Sequence, residues 1–133
     1  MIAVRAATVL LAAAAIAWHA AGLDAARARE QLVDLVFATE RPSEADYRRA
    51  ARLGERARRL TPGERIPQVE ATLRLKGGDG AGAVRLLEPA VRREPENAEA
   101  WALLARAAAE ADPTLAARAD QRVRALVPSV PEP

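Results

Sequence analysis

The sequence predicts an all-α chain: an apolar N-terminal helix running into a row of paired helices. Three observations lead there. Half of the 133 residues are hydrophobic, yet only Trp18, Phe37, Tyr47 and Trp101 are aromatic, and alanine, which loses no side-chain entropy in a helix, dominates. From Ala6 to Leu23 no residue carries a formal charge at neutral pH, His19 being the one titratable group. Through the remainder, proline and aspartate recur in phase at a spacing of 33 residues.

Composition also removes whole classes of function. The chain has no cysteine, which excludes disulfides, thiol catalysis and cysteine-ligated metal. Its single histidine lies inside the apolar run, so a multi-histidine metal site and a Ser-His-Asp triad on a polar face are excluded as well. Twenty basic residues against eighteen acidic ones give a net charge of +2, without the concentrated basic face that nucleic acid selects. No catalytic, cofactor-binding or metal-ligating set stands out. The expectation is therefore no enzyme, no cofactor, no nucleic acid and no small-molecule substrate.

The first element, residues 1–23, reads as a transmembrane signal anchor. As a helix, Ala6 to Leu23 spans about 27 Å, just short of a hydrocarbon core of roughly 30 Å. Adding residues 2–4, with Arg5 snorkelling, completes the length. The larger apolar side chains supply about −2 to −4 kcal/mol at a few tenths each. Trp18 and His19 suit the far interface. A cleaved signal peptide ending at Ala20-Ala21-Gly22 is one alternative, and a buried core helix is another. Leu23 to Glu40 continues as good helix, so the two segments are expected to be joined. Arg5 places the tail inside and the bulk of the chain outside the cytoplasm, against the opposing pull of Arg27 and Arg29.

Residues 24–128 carry the period. Pro62, Pro95 and Pro128 each follow a basic helical stretch. Counting back from them gives Ala57, Ala90 and Val123, then Ala50, Ala83 and Ala116, then Asp46, Asp79 and Asp112. An aspartate at a helix start satisfies free N–H groups and suits the positive end of the dipole. Small residues seven apart share one face and let helices approach. Proline then stops the helix. Each unit is thus a helix, a tight turn and a second helix.

This pattern resembles the tetratricopeptide repeat family. Trp101, Leu104 and Ala105 match its W-x-x-L-G opening with alanine for glycine, and Ala108 stands where the family prefers tyrosine. Gly78-Asp79 resembles the inter-helix turn, followed by Ala83, Ala90 and Pro95. Pro67 falls in a first helical turn, where it is tolerated, and Pro42 cuts the first unit's first helix short. The resemblance implies a short solenoid of about three hairpins, each burying its apolar face on the next. The expected core is Leu32, Leu35, Val36, Phe37, Ala50, Leu53, Ala57, Val69, Leu73, Ala83, Leu86, Leu87, Ala90, Trp101, Leu104, Ala105, Ala116 and Val123. The last helix, about 113–127, reads as a polar cap, and 129–133 as a proline-rich tail.

Several features have bland readings that outweigh their functional ones. Gly77-Gly78-Asp79-Gly80 lacks the lysine and spacing of a phosphate loop and reads as a turn. Glu94/Glu96 and Glu110/Asp112 flank helix ends as solvated carboxylates. Acidic residues interleave with Arg48-Arg49-Arg52 and Arg56-Arg58-Arg59, which makes that stretch a solvated face. The family binds peptides in a groove lined by first helices, which implies Arg74, Lys76 and Arg106 as polar contacts with an unknown protein partner. The functional expectation is a membrane-anchored adaptor or scaffold in an envelope complex. A small structural subunit of an integral membrane assembly is the alternative.

Overall fold

The computed structural model describes residues 2–59 and 65–127, with side chains from residue 10 onward. The described residues are all-α. Six helices follow in order: α1 (Ile2–Ala38), α2 (Glu44–Arg58), α3 (Ile66–Lys76), α4 (Gly80–Arg93), α5 (Ala98–Ala108) and α6 (Pro113–Leu126). Pro62, Pro128 and the 129–133 tail lie outside the described residues.

α1 is one continuous helix of 37 residues, about 55 Å long. Residues 10–21 are exposed throughout. Burial begins at Ala25 and takes Ala28, Leu32, Leu35 and Val36, the i, i+3, i+4 spacing of one helical face. The transmembrane span expected over residues 2–23 is not supported: among the described residues, no helix is long and apolar enough to cross a membrane. Among the residues with described side chains, the uncharged stretch runs only from Leu10 to Leu23 before Asp24 and Arg27, shorter than the roughly 20 residues that a hydrocarbon core requires.

Capping sets the later boundaries. Asp79 starts α4 by accepting from the Gly82 N–H at 2.7 Å, and Asp112 starts α6 by accepting from the Leu115 N–H at 2.9 Å. Asp46 sits one turn further in. Ser43 is the N-cap of α2, and Asp46 accepts from the Ser43 N–H at 2.8 Å in a reciprocal capping box. Asn97 caps α5 through the Ala100 N–H. Pro67 lies in the first turn of α3 and Pro113 opens α6. Pro89 lies inside α4, where it withholds the N–H that the Arg85 carbonyl would accept.

Neighbouring helices pack in sequence, α1 on α2, α2 on α3, and so on to α5 on α6. Beyond neighbours, α1 touches α3 and α3 touches α5, whereas no even-numbered pair touches among the described residues. The odd helices therefore form the tight inner row, and the even helices splay on the outer side.

Two cores lie between them. The first joins Ala28, Leu32, Leu35 and Val36 of α1 to Ala50, Leu53 and Ala57 of α2 and to Ile66 and Leu73 of α3. The second joins Ala71 of α3 to Ala83, Leu87 and Val91 of α4, to Ala100, Leu104 and Ala107 of α5 and to Ala119 of α6. Helix α3 contributes to both, and this explains why its charged and polar residues Gln68 and Glu70 are buried. Phe37, expected in the core, is 79% exposed, because 100° per residue carries it to the side of α1 opposite Leu32 and Leu35. Val69, Leu86, Trp101, Ala105, Ala116 and Val123 are half-buried rather than enclosed. Ala108 is fully buried, so its position has no room for a bulkier ring.

Candidate functional site

The three basic residues expected in a groove have different surroundings. Arg74, on α3, pairs with Asp79 and lies with its guanidinium carbon 4.9 Å from the Tyr47 ring centre. A cation over an aromatic face gains electrostatic attraction from the ring quadrupole. Partial burial works to raise the Asp79 pKa, but the Gly82 N–H and Arg74 outweigh it and hold the carboxyl below its usual range. Burial pushes the Tyr47 hydroxyl up. Lys76 donates to the carbonyls of Val36 at 2.6 Å and Thr39 at 3.2 Å. It thereby satisfies free acceptors at the C-terminal end of α1, where a cation also suits the helix dipole. Arg74 and Lys76 are thus engaged within the fold, joining the α3–α4 turn to α1 and α2.

Arg106 is different. It is exposed and lines a cleft of about 450 Å³ between the α3–α4 and α5–α6 turns, with Leu75, Gly78, Gly80 and Glu110. Gly80 makes the junction possible: a β-carbon there would lie 2.7 Å from the Ala107 carbonyl oxygen. The cleft thus sets one guanidinium and one carboxylate beside Leu75 and several alanines.

Trp101 has a structural task at the α4–α5 joint. Its indole N–H donates to the Pro95 carbonyl at 2.9 Å, and Arg122 of α6 donates to the same oxygen at 3.2 and 3.3 Å. Of the arginine-rich stretch on α2, Arg56 pairs with Asp24 and Arg58 with Glu70 at 3.0 Å. Arg48, Arg49 and Arg52 are exposed. Burial raises the Glu70 pKa, and Arg58 offsets part of that.

The first half of α1 carries most of the large apolar side chains that are exposed among the described residues. Leu10, Leu11, Ile16, Trp18 and Leu23 are 55–73% exposed. No group of His, Asp and Glu that could hold a metal ion occurs among the described residues. Comparison with known proteins finds no matching family model, no matching curated protein and no matching solved structure.

Proposed function

We propose that the chain is an adaptor of three tetratricopeptide-like hairpins, tethered to a membrane through the first half of α1, that holds a protein partner without catalysis of its own. The observation that carries this reading is the change of character along one helix. The first half of α1 leaves large apolar side chains uncovered, and the second half is part of a core. Contiguous apolar surface of that kind marks an interaction with membrane or protein. Trp18 suits the bilayer interface, and residues 2–9 supply the added length that residues 10–23 lack. The hairpins are placed outside the cytoplasm, with Arg5 on the inner side. The contact of α3 with both α1 and α5 supports a concave inner row, and the Arg106 cleft offers a polar site for the partner.

Flotation of the 133-residue chain with native membranes tests the tether. The chain is expected to float, and Leu11→Lys/Ile16→Lys is expected to remain in the soluble fraction with its helicity unchanged. A wild-type chain found wholly in the soluble fraction sinks the tether. Cross-linked capture from the same membranes tests the adaptor, with Arg106→Glu expected to reduce the captured partner severalfold. Loss of association when residues 24–133 are moved to an unrelated anchor favours the structural-subunit alternative.

A further inference from the structure

We infer that the edge of the hairpin array from which the first half of α1 emerges is a docking surface for anionic phospholipid headgroups. The array then stands on the bilayer with its Arg106 cleft turned away. The inference rests on the tether proposed above and adds to it the lipid charge and the orientation.

The helices alternate in direction. Asp24 of α1 pairs with Arg56 in the last turn of α2. Arg65, the N-cap of α3, pairs with Glu99 in the first turn of α5 at 2.6 Å. Arg122, near the end of α6, donates to the Pro95 carbonyl between α4 and α5 at 3.2 Å. These contacts gather at one edge the exit of α1, the ends of α2, α4 and α6, and the starts of α3 and α5. At the far edge, Lys76 holds the end of α1, and Gly80 at the start of α4 abuts Ala107 near the end of α5. Helix α4 separates the two edges by about 21 Å.

The repeat gives this arrangement a charge polarity. Each even helix has an aspartate at its start, Asp46, Asp79 or Asp112, so these carboxylates share the far edge with Glu44 and Glu110. Arg74 and Lys76, on that edge, are already engaged within the fold. Each even helix also has arginine in its last turn, at the near edge. Arg27, Arg59, Arg92 and Arg93 are exposed there. Asp24 and Glu99 are matched by Arg56 and Arg65. Among the described residues, Glu94 and Glu96 are the carboxylates of this edge without an arginine partner, so the exposed charge is positive.

A positive edge alone would suit any acidic partner. The first half of α1 selects the bilayer. Residues 10–21 are exposed throughout, and they leave the domain through the positive edge. Trp18 lies six residues before Asp24, about 9 Å along the helix. That is close to the depth of a headgroup layer, about 5–8 Å on each side of the hydrocarbon. With the indole at the hydrocarbon boundary, Arg27 and Arg59 come to the level of the lipid phosphates. Arg92 and Arg93 lie along the same edge, where an anionic surface attracts cations within a Debye length. Hydrocarbon followed by phosphate at this separation is the layering of a bilayer surface.

Co-sedimentation of the 133-residue chain with vesicles tests the edge. Binding should be about tenfold tighter to vesicles of equal parts phosphatidylcholine and phosphatidylglycerol than to phosphatidylcholine alone, and added salt should narrow the gap. Arg59→Gln/Arg92→Gln/Arg93→Gln should weaken binding to the anionic vesicles about fivefold per charge removed, with helicity retained. Arg41→Gln/Arg48→Gln/Arg49→Gln takes the same charge from the far edge and should leave binding nearly unchanged. Because the chain lacks cysteine, a fluorophore on Glu96→Cys or Glu110→Cys reads the orientation directly. Headgroup-attached quenchers should dim the first and spare the second. Equal binding to both vesicles, equal loss in the two arginine variants, or equal quenching at the two cysteines overturns the inference and leaves the tether standing. Binding to neither vesicle sinks the tether and the inference with it. If Arg59→Gln/Arg92→Gln/Arg93→Gln keeps its lipid binding but loses the captured protein, the edge belongs to an acidic protein instead.

Discussion

A methyl group at Gly54 would run into Oε1 of Glu70 and approach the Ile66 side chain at 3.1 Å. This glycine therefore exists to admit a buried carboxylate. Gly54→Ala is expected to destabilise the chain by about 1–3 kcal/mol, because a buried side chain must leave its site. In a Glu70→Ala background the same change should stabilise by about 1 kcal/mol, the ordinary helix gain of alanine over glycine. Denaturant midpoints around this four-member cycle check the reversal of sign, and equal effects in both backgrounds would dissolve the link. The same carboxylate shapes the pH dependence. Burial raises its pKa in the folded state, so its contribution is fully present below the unfolded value and fades as pH rises through the folded one. Asp24, held mainly by Arg56, and Asp46, held by Ser43, are lowered, as is Asp79. Their contributions are present above the unfolded value and disappear as pH falls through the folded ones. Stability should therefore peak in mildly acidic solution. Glu70→Gln should flatten the slope on the neutral side and leave the acid side unchanged, as urea midpoints across pH would record.

Helix starts and stops explain what was legible in the sequence. Asp79 and Asp112 were readable as caps because a capping carboxylate needs only local chain to do its work. Asp46 shares their period yet sits inside the first turn, since Ser43 competes for the cap and converts the pair into a capping box. The period alone could not separate those two geometries. Phe37 and the polar burial of α3 were illegible for a different reason: both depend on which helices lie on which side of α1 and α3, information set by packing. Arg74 and Lys76 likewise looked free because their partners, Asp79 with Tyr47 and the end of α1, are settled in space. Two element-scale predictions follow from the turns and the odd proline. Gly78 has φ of +77° with open space around it, so Gly78→Ala should cost about 1–2 kcal/mol through backbone strain alone. Pro89 is exposed within α4. Pro89→Ala should stabilise by about 1–2 kcal/mol, the restored helix bond being partly offset by a freer unfolded chain. Thermal or denaturant unfolding measures both.

At the scale of the molecule, α3 is the element that makes two cores into one structure. Leu73 is fully buried in the first core and Ala71 in the second, only two residues away on the same helix. Helices α1 and α2 have no contact with α4, α5 or α6 among the described residues except through α3. In a stacked array, stability is close to a sum of unit terms and neighbour terms, so the position of a cavity should decide how far its damage spreads. Leu73→Ala removes a fully enclosed side chain and should cost about 2–5 kcal/mol. It loosens the seat of α3, so amide exchange should quicken in α1–α2 and in α4–α5 alike. Leu104→Ala removes a side chain of similar size from the second core at a comparable local cost. Its effect should stop at α3, with exchange accelerated in α4 to α6 and the 28–36 stretch of α1 still protected. Residues 10–21 of α1 make no core contact and should report neither substitution. If Leu104→Ala opened α1 and α2 as readily as Leu73→Ala, the two cores would be one cooperative unit and α3 would have no special place in it.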